Sequence, residues 1–127
     1  MATILLVEDD PLQAYLTMSL LGRQFGDVRR ATDAAEALCL VEQPDFANKL
    51  SLVISGHNTP GITGPTFVAE LHSRLPRLPV LVLGVPGSAP ADYTDEPVAF
   101  LSRPFVAEKM LSLTRQMLGN NQKNAVA

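Results

Sequence analysis

Cysteine and tryptophan are almost absent from this sequence: Cys39 is the single cysteine among 127 residues, and there is no tryptophan. One cysteine cannot form an internal disulfide, and with two histidines it cannot supply the four ligands of a structural zinc site. A chain of this length buries enough surface to fold around an apolar core without such cross-links. We therefore expect one domain that folds in a reducing compartment, the cytoplasm.

Long apolar runs are also absent. Ile4–Val7 and Val80–Leu83 are uninterrupted apolar runs of four residues each, whereas a membrane-spanning helix needs about 20. No basic segment precedes the first acidic residue, Glu8, so the sequence does not show the pattern of a signal peptide. We expect neither a membrane span nor a signal peptide.

Basic clusters are scarce as well. The chain has 10 Lys and Arg against 13 Asp and Glu, for a net charge of −3. Three adjacent acids, Glu8–Asp10, account for the whole excess, and Arg29 and Arg30 are the only tight basic pair. Because nucleic-acid-binding domains normally carry a basic stripe, we do not expect direct binding to DNA or RNA.

Short apolar segments alternate with amphipathic ones along the chain. Continuous β-branched and aliphatic runs are typical of strands that are covered on both faces, as in a parallel sheet. The predicted strands are Thr3–Val7, Asp27–Ala31, Leu50–Ser55, Pro79–Leu83 and Val98–Leu101. The predicted fold is therefore α/β: a doubly wound (βα)5 domain with a flavodoxin-like, five-stranded parallel sheet.

Capping residues and prolines set the predicted helices. Asp10 before Pro11, and Asp33 three residues before Glu36, are helix-start signals. The predicted helices run from Pro11 to about Gly22 or Gln24, from Asp33 to Val41 or Glu42, from Gly64 to about Leu75, and from Phe105 to Leu118. Three prolines within Gly84–Pro97 leave room for about one helical turn, near Ala91–Thr94, so a fourth helix is short or absent. With Gly119 as a C-cap, the domain spans residues 1–119, and residues 120–127 form a polar tail or the start of a linker.

Four motifs at the strand ends carry a resemblance to a known family. ILLVEDDP, VISGHNTPGITG, PVLVLG and AFLSRPF occur in order along the chain. Together they resemble the receiver domain of two-component response regulators over essentially the whole length. In that family an aspartate after the third strand accepts a phosphoryl group, two acids after the first strand hold Mg²⁺, a Thr or Ser senses the phosphate, and a Lys before a proline pairs with it.

The resemblance assigns each of these roles to a position here. The acidic pair is Glu8 and Asp9, the phosphoacceptor position is Gly56, the hydroxyl position is Gly84, the aromatic switch position is Phe100, and the lysine position is Arg103. Glycine has no nucleophile, so the resemblance implies a degenerate phosphorylation pocket, no catalytic residue and no enzymatic activity. It implies no cofactor, with at most a weak Mg²⁺ site at Glu8 and Asp9. Arg103 keeps the cation and can contact one of these acids, and the family suggests a cis Arg103–Pro104 bond.

The first predicted helix has more apolar surface than a core contact needs, since Pro11–Gly22 contains no charged residue. At about 100° per residue, one apolar face holds Leu12, Tyr15, Leu16 and Leu20, and a second holds Ala14, Met18 and Leu21. Either the second face is a partner surface or its residues are ordinary scattered exposed apolar groups. We expect a homodimer through Ala14, Met18 and Leu21; the alternative is the surface around the fifth strand and last helix that receivers commonly use.

Three functions are compatible with these residues. The leading hypothesis is an atypical receiver, a pseudo-receiver in two-component or phosphorelay signalling that binds a protein partner without being phosphorylated. The second is a phosphotransfer protein with an unusual acceptor, Ser55 or His57. The third is a small-ligand sensor that uses the pocket emptied by Gly56 and Gly84.

Overall fold

The structure is a computed structural model that describes residues 3–56, 58–59, 61–84, 97–103 and 105–126. Helices separate the successive strands of the main sheet over residues 3–84, as the sequence pattern predicts. The strands are β1 (Thr3–Val7), β2 (Asp27–Ala31), β3 (Leu50–Gly56), β4 (Asn58–Thr59), β5 (Ile62–Thr63), β6 (Val80–Gly84) and β7 (Val98–Ser102). The helices are α1 (Pro11–Phe25), α2 (Ala34–Val41), α3 (Pro44–Lys49), α4 (Gly64–Arg74) and α5 (Ala107–Val126).

The main sheet has five strands in the order β2-β1-β3-β6-β7. Every neighbouring pair in it is parallel. The chain places β2 on one side of β1 and β3 on the other, so the strand order reverses between β1 and β3. Open α/β sheets bind their ligands beyond the carboxyl ends of the strands at such a reversal. The predicted flavodoxin-like parallel sheet is confirmed.

Alternate residues of each strand pack against different helices. Ile4 and Leu6 of β1 belong to a buried cluster with residues of α1 and α5. Leu5 and Val7 belong to a second cluster, with residues of α2 and α4. The central strands are buried on both faces, which is why their sequences are continuously apolar rather than alternating. Each fully buried aliphatic side chain contributes about 1.5–3 kcal/mol to the free energy of unfolding.

Two helix starts follow the predicted capping chemistry. The Asp10 carboxylate accepts a hydrogen bond from the Leu12 N–H at 2.9 Å. Asp33 Oδ1 accepts from the Glu36 N–H at 2.8 Å, and the Glu36 carboxylate in turn accepts from the Thr32 N–H at 3.0 Å. Both caps satisfy backbone donors that have no partner within the helix.

Short elements and helix ends are where the structure departs from the prediction. The six-residue helix α3 and the antiparallel pair β4 and β5 were not predicted, because they are too short to show a period. Helix α5 starts at Ala107 rather than Phe105 and continues through Gly119 to Val126, so Gly119 is not a C-cap. Glycine inside a helix costs about 1 kcal/mol but does not by itself end the helix. The short fourth helix near Ala91–Thr94 lies outside the described residues.

In the part of the chain that the structure describes, we find no helix with both the length and the apolar character that a membrane span requires.

Candidate functional site

The candidate site lies where the main-sheet strands end. The register pairs Gly56 of β3 with Leu83 of β6, and Gly84 with Ser102 of β7. Glu8 follows β1 directly, and its N–H donates to Ala31 O of β2 at 3.0 Å. The chain therefore brings the last residues of β3 and β6 and the residues that follow β1 and β7 to one edge of the sheet, as the sequence predicts.

Arg103 has three contacts at this edge. Its Nη2 atom lies 3.7 Å from Glu8 Oε1, and its guanidinium carbon lies 5.6 Å from the centre of the Phe105 ring. Its backbone N–H donates to Gly84 O at 3.0 Å. The predicted contact between Arg103 and an acid of the pocket is present, as a single ion pair rather than a bidentate fork. Part of the positive charge lies over the aromatic face, a geometry that stabilises a cation.

Glu8 occupies a protected position, since its side chain is 15% exposed. This burial raises the pKa of the Glu8 carboxyl above its ordinary value, because an ionised carboxylate loses hydration there. A hydrogen bond from the Asp10 N–H to Glu8 Oε2, at 3.2 Å, and the positive charge of Arg103 both lower that pKa, whereas Asp9 raises it. Burial is the largest effect, so the pKa of Glu8 stays above its ordinary value even with Arg103 beside the carboxylate.

A second arginine, Arg30 of β2, holds the loop that carries these acids. Its Nε–H donates to Glu8 O at 3.0 Å, and its Nη2 donates to Asp9 O at 3.3 Å. Sequence reasoning treated Arg30 only as part of a basic pair. The signal that could have found it is the pairing of β1 with β2, which sets Arg30 opposite Leu6, two residues before Glu8.

The acids of this edge offer few free ligands to Mg²⁺. Mg²⁺ takes an octahedron of hard oxygen ligands, usually several waters with one or two carboxylates and phosphate oxygens. Glu8 contacts Arg103, and Asp10 caps α1. Among the described residues there is no group of three or more His, Cys, Asp or Glu side chains that could hold a metal ion.

Gly56 lies on the same side of the sheet as the ion pair. Leu52 and Ile54 of β3 pack with α1 and α5, and Gly56 follows them at the two-residue period of a strand. A side chain at position 56 would therefore point toward the side on which Leu101, two residues before Arg103, is buried. Phe100 lies on the opposite side, packed against the cluster of α2 and α4.

Ser55 and His57 are the two alternative acceptors. Ser55 is buried, and its hydroxyl donates to Gly56 O at 3.1 Å. By the strand period its side chain lies on the side of Val53, which packs toward α2 and α4, away from Arg103 and Glu8. His57 and the Arg103–Pro104 bond lie outside the described residues.

The expected dimer contact on α1 is wrong in its choice of face. Ala14 and Leu21 are buried, and Met18 is partly buried against the same core cluster. Leu12 and Tyr15 of the other face are 64% and 69% exposed. The small Ala14 lets the helix approach the sheet closely, so the face with fewer large side chains is the one that packs inward.

Comparisons with known proteins agree with this geometry. The family described as "Response regulator receiver domain" matches residues 4–115. The response regulator protein FleR of Pseudomonas aeruginosa is 36% identical in an alignment of 126 residues, and the match covers 93% of this chain. The chain spans 25% of the length of that relative.

Solved structures give the same result. The signal receiver domain of an HD domain-containing protein from Pseudomonas fluorescens Pf-5 is 25% identical, with a TM-score of 0.85 over 96% of this chain and 98% of that one. The chemotaxis protein CheY4 of Vibrio cholerae is also 25% identical, with a TM-score of 0.74 over 92% of this chain and 98% of that one. With the family match covering most of its length, this chain belongs to the response regulator receiver domain family.

Proposed function

We propose that this chain is an atypical receiver, a pseudo-receiver that binds a cytoplasmic signalling partner without being phosphorylated on an aspartate. The observation that carries the proposal is the glycine at the end of β3. Gly56 stands on the side of the sheet that holds Arg103 and Glu8 and offers no nucleophile. The proposal assigns no catalytic residue and no enzymatic activity to the chain.

The ion pair between Arg103 and Glu8 supports the proposal. A phosphorylated aspartate would add negative charge at this edge, and here a carboxylate of the chain itself already contacts the cation, at 3.7 Å. The guanidinium contacts both Glu8 and the Phe105 ring, so the cation has partners without a phosphate. The pair therefore favours a single conformation.

The last residue of β6 gives a second, independent support. A ligand shifts a conformational equilibrium only through an interaction that differs between the two states. Gly84 has no hydroxyl to follow a phosphate, and its carbonyl accepts a hydrogen bond from the Arg103 N–H. A phosphoryl group would thus lack the side chain through which it could bias the fold.

Beryllofluoride with Mg²⁺, a mimic of the phosphorylated state, tests this proposal when amide spectra of isotope-labelled protein are recorded before and after its addition. We expect the wild-type spectrum to stay unchanged. Gly56→Asp is the matched control, since it restores a carboxylate at the same position, and its resonances near the strand ends should shift. A wild-type spectrum that changes at the strand ends would contradict the proposal. If wild-type protein instead gains a phosphoryl group at Ser55 or His57 from a phosphodonor, the unusual-acceptor function replaces it.

A further inference from the structure

The exposed side of helix α1 is large and uncharged except at its end. We define the outer face of α1 by the residues that share this side at helical spacing: Leu12, Tyr15, Leu16, Ser19, Gly22 and Arg23. All six are exposed. Leu12, Tyr15 and Leu16 are large exposed apolar side chains, and no other described helix has an exposed apolar side chain of this size. Apolar patches of roughly 300–600 Å² on a soluble domain often mark an interaction site.

The two halves of this outer face differ in size. The amino-terminal half carries the large side chains Leu12, Tyr15 and Leu16, whereas the carboxyl-terminal half carries Ser19 and Gly22. A Cβ atom added at Gly22 would meet nothing within 4 Å, so the fold of one chain gives no steric reason for glycine there. Without a side chain at position 22, a second helix has room to approach this half of the face closely.

Charge is divided between the ends of α1 in the same manner. Asp9 and Asp10 stand at its amino terminus, and Arg23 lies in its last turn. No charged residue lies between Pro11 and Gly22. The face thus has large groups and negative charge at one end, and small groups and positive charge at the other.

We propose that the outer face of α1 binds the same face of a second copy of this chain, with the two helices antiparallel about a two-fold axis. In such an isologous contact, the amino-terminal half of each outer face packs against the carboxyl-terminal half of the other. Ser19 then lies opposite Leu16 of the second copy, and Gly22 lies close to its Leu12. Arg23 lies beside the amino terminus of the second helix, where Asp10 is roughly 3 Å of axial rise from Leu12 and Asp9 directly precedes Asp10.

The antiparallel arrangement fits better than a parallel one. Parallel helices would set Tyr15 against Tyr15 and aspartates against aspartates. In that arrangement no large side chain would fill the space at Gly22, and Arg23 would have no acidic partner on the second helix. The contact continues into a groove of about 400 Å³ between α1 and α5, lined by Leu16, Leu20, Phe105 and Met110 among others. One helix face and this groove are small beside the roughly 800 Å² per partner of a standard interface, so the dimer is reversible and depends on concentration.

Sedimentation velocity of the purified chain over a range of concentrations tests this contact, together with variants of the outer face. Wild type should show a monomer–dimer equilibrium. Gly22→Leu should raise the dissociation constant about tenfold or more, because leucine fills the space for the second helix. Gly119→Leu is the matched control: it is also a helical glycine with nothing within 4 Å of an added Cβ, and it lies on α5. It should leave the dissociation constant within about twofold of wild type.

Arg23→Glu tests the charge arrangement, and Asp9→Lys is its partner variant. Each variant alone should dimerise more weakly than wild type by about fivefold or more, and an equimolar mixture of the two should recover dimers, because both cross-helix charge pairs are restored in the mixed dimer. Melting temperatures of all variants separate lost contact from lost fold, and Gly22→Leu should melt no lower than wild type.

Wild type that stays monomeric at every accessible concentration would overturn the proposal and would leave this face to a different protein. A dimer that persists in Gly22→Leu would overturn the antiparallel arrangement. Neither result depends on whether position 56 can be phosphorylated, so the dimer and the pseudo-receiver function fail independently.

Discussion

The strands that end at the candidate site fall into two pairs with different chemistry. The ends of β1 and β7 carry charged side chains, Glu8 and Arg103, whose atoms lie 3.7 Å apart. The ends of β3 and β6, which lie between them in the sheet, carry Gly56 and Gly84. The outer pair keeps an electrostatic contact, whereas the inner pair offers backbone groups only.

This difference shows that fixing the Arg103 cation in place and responding to phosphorylation depend on different residues. Arg103 holds its position through Glu8, the Phe105 ring and the Gly84 carbonyl, all groups of the chain itself. A response to phosphorylation needs, in addition, a nucleophile to accept the group and a side chain to follow it. In the proposed function the chain keeps the contacts that hold Arg103 but lacks both groups that a response to phosphorylation needs.

The largest expected effect comes from restoring side chains to the inner pair. Gly56→Asp adds a third carboxylate beside Glu8 and Asp9, and we expect it to bind Mg²⁺ at least about tenfold more tightly than wild type. Isothermal titration calorimetry measures this change, and Gly56→Asn is the control of equal shape without the charge. Equal Mg²⁺ affinity in the Asp and Asn variants would contradict the expectation.

The double variant Gly56→Asp with Gly84→Thr sharpens the same comparison. It is the smallest change that we expect to respond to beryllofluoride with a spectral shift beyond the residues of the pocket. The single variant Gly56→Asp should shift locally only, because no hydroxyl follows the mimic. If the single variant already changes the spectrum on distant strands, Gly84 is not the missing element.

A smaller effect is expected when the outer pair is broken. Arg103→Gln removes the cation from a largely buried carboxylate, so the free energy of unfolding at neutral pH should fall by about 1 kcal/mol. The pKa of Glu8 should rise further, because the charge that lowers it is gone. Urea unfolding measures the first change and carboxyl NMR titration the second, with Arg103→Lys as the control that keeps the charge. Unchanged stability and an unchanged Glu8 pKa in Arg103→Gln would show that the pair has no energetic role.

The smallest expected effect is a pH dependence at Glu8. Because burial raises its pKa in the folded chain above the ordinary value of 4.5, the folded state holds this proton more tightly than the unfolded state. Stability from Glu8 is therefore greatest below pH 4.5 and falls as pH rises through the folded-state pKa. The free energy of unfolding of wild type minus that of Glu8→Gln should decrease between pH 4 and pH 7, measured by urea unfolding. A difference that increases over this interval would mean that Arg103 outweighs burial.

Much of the fold was predictable because its signals are local and repeated. Apolar runs predicted four strands of the main sheet, and Asp27–Ala31 was predicted as a short candidate strand. Asp10 and Asp33 predicted two helix starts through their capping chemistry. Helix α3 was missed because six residues do not show a helical period. Gly119 misled the prediction of the α5 end because glycine permits a helix to stop there without requiring it.

The candidate site was predictable where it depends on strand ends and not where it depends on packing. The motifs at the strand ends predicted that Glu8 and Arg103 lie at one edge of the sheet, and in the structure their side chains are in contact. Arg30 was missed because its role follows from the pairing of β1 with β2 rather than from a motif. The inner face of α1 was assigned wrongly because both faces are apolar, and periodicity alone does not tell which face approaches the sheet.

Intact-mass spectrometry of the wild-type chain after incubation with acetyl phosphate and Mg²⁺ tests the pseudo-receiver function most directly. Gly56→Asp, treated in parallel, shows that the conditions support phosphorylation when a carboxylate is present at the end of β3. We predict that the wild-type mass stays unchanged while part of the Gly56→Asp protein gains a phosphoryl group. A wild-type chain that gains one phosphoryl group under the same conditions would contradict the proposed function.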